Sequence, residues 1–214
     1  KSGITLVEVA FELLAQLARL DTPTVCNALE VIAPERRAIG FTTERLDCLY
    51  PALRPMVGYA RTATMRSIQA QRLAPEEAGK RTMAYYEYVA DGGPRPSVCI
   101  IQDLDDGRAG FGSFWGEVNT HIHRGLGCLG VVTNGSVRDV DANAEGFQML
   151  CRNVVPSHAH YHIVEVGGTV SVAGAYFHHG DLVHADRHGA VVIPVEHAAR
   201  IPAVADTLAR REAV

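Results

Sequence analysis

Long apolar runs are missing from the 214-residue sequence, in which no run approaches the ~20 residues that a helix needs to span a bilayer. Near the amino terminus, Glu8 and Glu12 interrupt the apolar residues, which is not typical of a secretory signal peptide. The two absences predict a protein that neither spans a membrane nor is exported.

An excess of one charge is also missing. The chain carries 20 basic and 24 acidic residues, with a formal charge of −4, and no basic stripe interleaved with aromatic residues. Because nucleic-acid binding depends on a concentrated positive surface, we expect no nucleic-acid partner.

Paired cysteines are absent as well. The five cysteines are odd in number and scattered, without a C-x-x-C pair (Cys26, Cys48, Cys99, Cys128 and Cys151). This pattern favours reduced thiols and predicts a cytoplasmic protein.

Neither an internal repeat nor a low-complexity linker divides the chain. Its 47% hydrophobic and 21% charged residues are ordinary for a globular protein. We therefore predict one domain over 1–214, with amino-terminal helices in 1–33, an α/β core over 57–194 and a carboxyl-terminal helix over 195–214.

Hydrophobic periodicity and turn residues predict the individual elements. The predicted helices cover 5–20, 22–32, 75–90 and 194–211, the outer strands cover 58–67, 147–155, 162–166, 169–173, 181–184 and 190–193, and 34–56 is an irregular connection. Short strands around a β-α-β centre predict a layered α/β fold.

The central β-α-β unit consists of two apolar strands, Ser97–Gln102 and Leu129–Thr133, joined by a segment long enough for a helix of about three turns. Parallel strands joined in this way end at the same edge of the sheet. Glu117 precedes the helix, and Arg138 and Asp139 follow the second strand. We therefore expect two acids and an arginine in one crevice, where open α/β sheets bind ligands.

A purely structural interpretation of the same residues stays open. Ser136 and Asp139 have the spacing of a capping box that would begin a helix from Val140 to Leu150. Glu117 could simply complement the dipole of its helix, and Arg138 could be a surface residue.

Two groups of residues alternate in a way that suggests metal ligands: His158, His160 and His162, and then His184, Asp186 and His188. Neither group has a recognised zinc spacing, so we favour solvated histidines over a zinc site. We expect Asp186 and His188 to support an interface or the rim of a pocket.

Two motifs resemble those of the RraA-like family, which includes 4-hydroxy-4-methyl-2-oxoglutarate aldolases and relatives once called menaquinone methyltransferases. The run G-V-V-T-N-G-S-V-R-D ending at Asp139 is similar to the family's G-V-V-V-D-G-x-x-R-D. Twenty residues, 118 to 137, separate Glu117 from Arg138, as in the aldolases. The run from His179 to Pro194 resembles P-G-D-x-x-x-A-D-x-x-G-V-V-x-V-P, and weaker similarities lie in 21–29 and 58–64.

The resemblance implies a swivelling β/β/α-type domain that assembles as homotrimers or homohexamers, with active sites near subunit interfaces. It also implies a site. Asp139 would bind a metal directly, Glu117 would bind it through water, and Arg138 would hold the substrate carboxylate and keto oxygen. Carboxylate and water ligands favour Mg²⁺ or Mn²⁺ over zinc.

The resemblance also places substrate-binding groups at the beginning of the helix. Gly116, Glu117, Val118 and Asn119 would offer main-chain N–H groups to the same anion. The implied activity is cleavage of a 2-keto acid to pyruvate, as in class II pyruvate aldolases, together with decarboxylation of oxaloacetate. A metal-held water near Glu117 is our candidate for the base.

Two other functions are considered for a chain that resembles this family. Some members regulate ribonuclease E without catalysis, and they lack the metal-binding aspartate that Asp139 represents here. A methyltransferase would need a glycine-rich nucleotide loop after its first strand, and none is found. A related lyase that acts on another 2-keto acid is a closer alternative.

The chain departs from the family pattern at three positions. Glu117 stands where the aldolases have Asp, Asn134 replaces a usual Asp, and His179 replaces a proline. These differences leave the identity of the substrate open.

Overall fold

Thirteen strands form three sheets in the computed structural model, which describes residues 8–212. The strands are β1 (Asp47–Cys48), β2 (Met56–Arg66), β3 (Ser97–Asp103), β4 (Ser113–Trp115), β5 (Cys128–Thr133), β6 (Ser136–Val137), β7 (Gln148–Cys151), β8 (Asn153–Val154), β9 (His162–Val166), β10 (Val170–Val172), β11 (Ala175–Phe177), β12 (Leu182–Asp186) and β13 (Gly189–Ile193).

Helices pack around these sheets at both ends of the chain and in its middle. They are α1 (Phe11–Leu17), α2 (Thr22–Ile32), α3 (Pro75–Asp91), α4 (Glu117–Gly125), α5 (Val195–Ala198) and α6 (Ile201–Glu212), with one 3₁₀ turn over Pro34–Arg36. This mixed α/β architecture confirms the expected fold class.

The main sheet has the order β1-β7-β5-β3-β2-β12-β13, and β9 pairs with the far end of β2. Strands β2, β3, β5 and β7 run parallel at its centre, while β1, β9, β12 and β13 are antiparallel to their neighbours. The parallel pairing of β3 with β5 confirms the predicted β-α-β unit, with α4 between the strands.

Strand β3 alternates between two hydrophobic cores, and this alternation explains its continuous apolar run. Cys99 and Ile101 lie in the core on the side of α3, whereas Val98 and Ile100 face the hairpin formed by β10 and β11. Because both faces are covered, the strand is buried throughout, as central parallel strands usually are.

Helix α2 and helix α3 begin where the sequence predicts. The Asp21 carboxylate caps α2 by accepting a hydrogen bond from the Thr24 N–H at 2.8 Å, and Pro23 lies in the first turn. Helix α3 begins at Pro75 and runs to Asp91.

Five predictions of elements require correction. The predicted strand over 147–155 is divided at Arg152 into β7, in the main sheet, and β8, in the small sheet with β4 and β6. Helix α1 covers Phe11–Leu17, whereas the predicted helix covers 5–20. The predicted start at Thr5 lies outside the described residues. The connection 34–56 contains the 3₁₀ turn and β1. No helix extends from Val140 to Leu150, where a loop leads into β7, so the capping-box interpretation is wrong. The carboxyl-terminal helix is divided into α5 and α6 because Pro202 lacks the N–H that would continue α5.

Candidate active site at the Arg138–Asp139 turn

A small second sheet brings the two halves of the candidate site together. Strand β4 precedes α4, strand β6 precedes Arg138, and the two strands pair in parallel. The Arg138 N–H continues this pairing by donating to the Trp115 carbonyl at 2.9 Å. The residues that follow the strands, Gly116 and Arg138, are therefore neighbours.

The amino end of α4 points at the Asp139 side chain. Gly116 is the N-cap in an extended conformation, and the Glu117 N–H donates to Asp139 Oδ2 at 3.3 Å. The first N–H groups of a helix have no partner within the helix and carry a partial positive charge, so this end attracts anions. The geometry thus joins Asp139 to the predicted anion-binding turn.

Gly116 allows this approach because it has no side chain. A Cβ atom at this position would lie 2.6 Å from Asp139 Oδ2 and 3.2 Å from Arg138 Cγ, which is closer than van der Waals contact permits. Any larger residue would displace the Asp139 carboxylate and crowd the Arg138 side chain.

The Arg138 and Asp139 side chains form a loose, partly exposed pair. Arg138 Nη2 lies 3.5 Å from Asp139 Oδ2, and the side chains are 35% and 32% exposed. Asp139 has a φ of +55°, a left-handed conformation that aspartate tolerates better than most residues. The Asp139 carboxylate therefore keeps room for a further ligand.

The remaining predicted residues lie on the first turn of α4 in different environments. Glu117 is exposed, and Val118 is 69% exposed. Asn119 is buried, where its Oδ1 accepts a hydrogen bond from the Tyr86 hydroxyl at 2.7 Å and its Nδ2 donates to the Phe114 carbonyl at 2.6 Å. The Asn119 side chain thus fixes the turn, and only its main chain is available to an anion.

A buried histidine supports α4 from below. His123 Nδ1 lies 2.6 Å from the Asn119 carbonyl, and the Tyr85 hydroxyl lies 2.7 Å from His123 Nε2. Burial lowers the pKa of His123 to about 4, so the ring is neutral at pH 7. We assign the proton to Nδ1, because the facing carbonyl only accepts. Sequence reasoning did not identify this support.

Asn134 has a structural role that accounts for its difference from the family pattern. Its Oδ1 accepts a hydrogen bond from the Asp103 N–H at 2.7 Å, and its Nδ2 donates to the Asp103 carbonyl at 3.1 Å. An ionised aspartate could accept the first bond but could not donate the second. Asn134 therefore ties the ends of β3 and β5 together.

The His184, Asp186 and His188 group anchors the beginning of α2. We call Asp21, Thr22, His184, Asp186 and His188 the α2 anchor. Asp186 Oδ2 accepts from the Thr22 N–H at 2.9 Å, and Oδ1 accepts from the His188 N–H at 2.8 Å. Burial alone would raise the pKa of Asp186, but these hydrogen bonds lower it below its usual value.

The other histidine group makes local contacts with the main chain. His158 Nδ1 lies 2.8 Å from the Ala159 carbonyl, and His162 Nδ1 lies 2.9 Å from the His160 carbonyl. Across residues 8–212, no three His, Cys, Asp or Glu side chains are grouped so that they could hold a metal ion. A metal at the Asp139 corner would need water and substrate oxygens to complete its coordination.

A groove of about 600 Å³ begins next to Asp139. Its lining is mostly apolar and also includes Tyr50 and two acids (Leu49, Tyr50, Pro51, Ala52, Leu53, Val140, Asp141, Asn143, Ala144, Glu145 and Gly146). Elsewhere, all five cysteines are free thiols. Within the described part of the chain, no helix has the length and apolar character needed to cross a bilayer.

Residues 22–192 match the family model RraA-like, described as Aldolase/RraA. Among curated protein sequences, none matches the chain significantly. The crystal structure of Streptomyces coelicolor RraAS2, described as an unusual member of the RNase ES inhibitor RraA protein family, is similar with 25% identity and a TM-score of 0.74. The alignment covers 97% of each chain.

Two further structures share the fold at lower identity. An uncharacterized protein from Pseudomonas syringae pv. tomato str. DC3000 has 22% identity and a TM-score of 0.70, over 96% of this chain and 90% of that one. The RNA-processing inhibitor RraA from Thermus thermophilis has 19% identity and a TM-score of 0.56, over 79% and 92%.

Proposed function

The chain belongs to the RraA-like family, and from that premise we propose that it is a divalent-metal-dependent carbon–carbon lyase. The proposed reaction is that of a class II pyruvate aldolase, which cleaves 4-hydroxy-4-methyl-2-oxoglutarate or a similar 2-keto acid to pyruvate. The same site would decarboxylate oxaloacetate. The proposal depends on the open carboxylate of Asp139, which lies beside Arg138 at the amino end of α4.

The donor groups at this corner fit a hard cation. Asp139 would bind it directly and Glu117 through water, and Gly116 leaves space against Asp139 that a Cβ atom would fill. The absence of a three-residue ligand group in residues 8–212 suits Mg²⁺ or Mn²⁺, which keep several waters, better than it suits structural zinc. When bound, the ion would withdraw electron density from the keto group of the substrate.

The residues of the chain would bind and orient the substrate. The Arg138 guanidinium would hold the carboxylate and keto oxygen with paired hydrogen bonds. Main-chain N–H groups of Gly116, Glu117, Val118 and Asn119 would stabilise the same negative charge. When the C3–C4 bond breaks, its electron pair stays on the pyruvate fragment, and the proton of the C4 hydroxyl passes to a base near Glu117.

The direct test is pyruvate release from 4-hydroxy-4-methyl-2-oxoglutarate and from oxaloacetate in the presence of Mg²⁺. We expect EDTA to abolish release and Asp139→Ala to lower kcat/KM by about 1,000-fold or more, because both remove the electrophile. The matched control is Asp106→Ala, which changes an exposed acid outside the groove beside Asp139 and should keep activity. Release that resists EDTA and persists in Asp139→Ala would reject this mechanism.

Non-catalytic regulation of ribonuclease E is the alternative function. The similarity to RraAS2, described as a member of an RNase ES inhibitor family, favours it. The retention of Asp139, which the regulators of the family lack, argues for catalysis instead. Retention of the ribonuclease in a pull-down, together with no pyruvate release from any 2-keto acid tested, would favour the regulator.

We further propose that the protein acts as a homotrimer or homohexamer in the cytoplasm, without a nucleic-acid or membrane partner. The assembly is proposed because the family resemblance places active sites near subunit interfaces. Light scattering would separate the two assemblies, and a monomer at assay concentration would contradict both.

A further inference from the structure

Asp139 adopts an unfavourable backbone conformation at the centre of the candidate site. Its φ of +55° lies in the left-handed region, which only two other non-glycine residues, Ala159 and Ala173, share in the described part of the chain. Such a conformation costs free energy and persists when surrounding contacts hold it. The contacts that hold Asp139 are therefore relevant to where its carboxylate points.

The carbonyl groups on both sides of Asp139 are held by two side chains. The Tyr50 hydroxyl donates to the Val140 carbonyl at 2.6 Å, and Asn143 Nδ2 donates to the Arg138 carbonyl at 3.1 Å. The two side chains also contact each other, because Asn143 Nδ2 donates to the Tyr50 hydroxyl at 3.2 Å. The peptide group before Asp139 and the carbonyl of the residue after it are thus fixed by one connected pair.

Tyr50 is itself fixed to the main sheet. The amide of Gln148, a buried residue of β7, accepts a hydrogen bond from the Tyr50 N–H at 3.3 Å and donates to the Tyr50 carbonyl at 2.7 Å. Strand β7 is the direct neighbour of β5, which leads to the Arg138–Asp139 turn. The main sheet therefore fixes the position of Tyr50, and Tyr50 in turn holds the Val140 carbonyl of the turn.

Asn143 is linked to α4 in the same way. Thr120 is fully buried, and its hydroxyl accepts from the Ala144 N–H at 3.0 Å while lying 2.9 Å from the Glu117 carbonyl and 3.4 Å from Asn143 Oδ1. The loop after Asp139 is thereby attached to the first turn of α4. The segment that contains Asn143 is therefore tied to the α4 side of the candidate site.

We propose that Tyr50 and Asn143 are positioning residues, which hold Asp139 in the left-handed conformation so that its carboxylate faces the amino end of α4. The inference rests on the proposed function, because the benefit is a carboxylate oriented before metal and substrate arrive. Partners that orient a ligand typically change metal affinity or activity by about 10- to 100-fold when they are removed. Neither residue is expected to contact the reacting atoms.

The test compares Tyr50→Phe, which removes one hydroxyl, with the control Tyr176→Phe, which removes a hydroxyl from a side chain on a residue that is 69% exposed. We expect Tyr50→Phe to weaken Mn²⁺ binding to the metal-free protein by about 10-fold. We expect kcat for pyruvate release to fall by a similar factor and KM to change less. Unchanged Mn²⁺ affinity and kcat in a folded Tyr50→Phe would overturn the proposal.

A second variant helps to distinguish a specific loss of Mn²⁺ binding from a loss of folding. Asn143→Ser keeps a small polar group but cannot reach both the Arg138 carbonyl and the Tyr50 hydroxyl, so it should weaken Mn²⁺ binding in the same direction. Thermal unfolding of each variant separates a general loss of stability from a specific loss of affinity. A large drop in thermal midpoint with normal Mn²⁺ affinity in the folded fraction would assign both residues a purely structural role.

Crystal structures of the wild type and Tyr50→Phe separate this inference from the proposed function. The inference expects Asp139 to leave the left-handed region, or the contact between the Glu117 N–H and Asp139 Oδ2 to lengthen beyond its present 3.3 Å. An unchanged turn would reject the positioning role even if the protein is an aldolase. A wild type that binds no Mn²⁺ and releases no pyruvate would reject the function, whatever the turn does.

Discussion

Asp139 and Asp186 lie in the two segments of the chain that most resemble family motifs, yet their surroundings differ. The oxygens of Asp186 are occupied by the main-chain N–H groups of Thr22 and His188, and its side chain is 10% exposed. The Asp139 side chain is 32% exposed, with one N–H at 3.3 Å and a guanidinium nitrogen at 3.5 Å. A motif aspartate can thus serve the scaffold or remain open to a ligand.

Hydrogen-bond occupancy is the property that distinguishes the two residues. A carboxylate that already accepts short bonds from main-chain donors has little capacity for an incoming cation, and its removal leaves those donors unpaired. A carboxylate with long, weak contacts loses little when a ligand replaces them. We therefore expect the two regions to separate stability from activity.

The largest expected effect is on stability, from Asp186→Ala. The substitution leaves the N–H groups of buried Thr22 and of His188 without an acceptor, so the free energy of unfolding should fall by about 4 kcal/mol. Denaturant titration measures it. The matched substitution in the other region is Asp139→Asn. Asparagine tolerates the left-handed backbone, so the free energy of unfolding should change by about 0.5 kcal/mol or less. Equal losses in the two variants would contradict the distinction.

The second expected effect is a loss of stability at low pH. Each region has a buried histidine whose pKa is lowered by burial: His184 in the α2 anchor and His123 beneath α4. The unfolded chain binds a proton near pH 6.5, while folded His123 does so at about 4. Because His123 stays neutral in the folded protein, its contribution to the free energy of unfolding is complete above pH 6.5 and is lost as pH falls towards 4. For His123 it amounts to about 3 kcal/mol.

His123→Gln tests that assignment by removing the titrating group while keeping a polar side chain. Denaturant titrations at pH 7 and pH 4.5 should show a smaller difference in this variant than in the wild type. Asp21 and Asp186, whose pKa values are lowered, lose their contribution to stability as pH falls from about 4 downwards, and they are present in both proteins, so they do not affect the comparison. The same pH dependence in both proteins would reject the contribution of His123.

The smallest expected effect, in free energy, is on activity. Gly116→Ala would place a Cβ atom 2.6 Å from Asp139 Oδ2 and displace the open carboxylate. We expect kcat/KM for pyruvate release to fall by about 100-fold, or about 2.7 kcal/mol, with stability reduced by at most about 1 kcal/mol. Gly125→Ala is the control, since a Cβ there meets nothing within 4 Å. Full activity in Gly116→Ala would show that the close approach is unimportant.

The main elements of the fold were predictable where residue pattern and chain direction agree. The apolar run Ser97–Gln102 and the capped start of α2 depend on local signals, and both elements formed as predicted. The short strands β4 and β6 were missed because two or three residues carry too little periodicity. The Ser113-Phe-Trp115 segment was the available signal for β4, and it becomes a strand only by pairing with β6.

The candidate site was predictable in its residues but not in its supports. The spacing of Glu117 from Arg138 and Asp139 indicated one crevice, and the structure places Gly116, the Glu117 N–H, Arg138 and Asp139 together. Their roles in catalysis and metal binding stay predictions. Tyr50 could not have been identified in advance, because it lies 88 residues before Arg138 and touches the turn through one hydroxyl.

The sequence by itself determined the β-α-β centre, the capped helix α2 and the family, because these depend on local propensity, periodicity and residue spacing. Only the tertiary structure decided which motif acid is buried and which is open. It also decided that a loop, not a helix, follows Asp139. The physical reason is that the partners of a carboxylate are main-chain groups from distant segments, whose positions are set by strand pairing and packing.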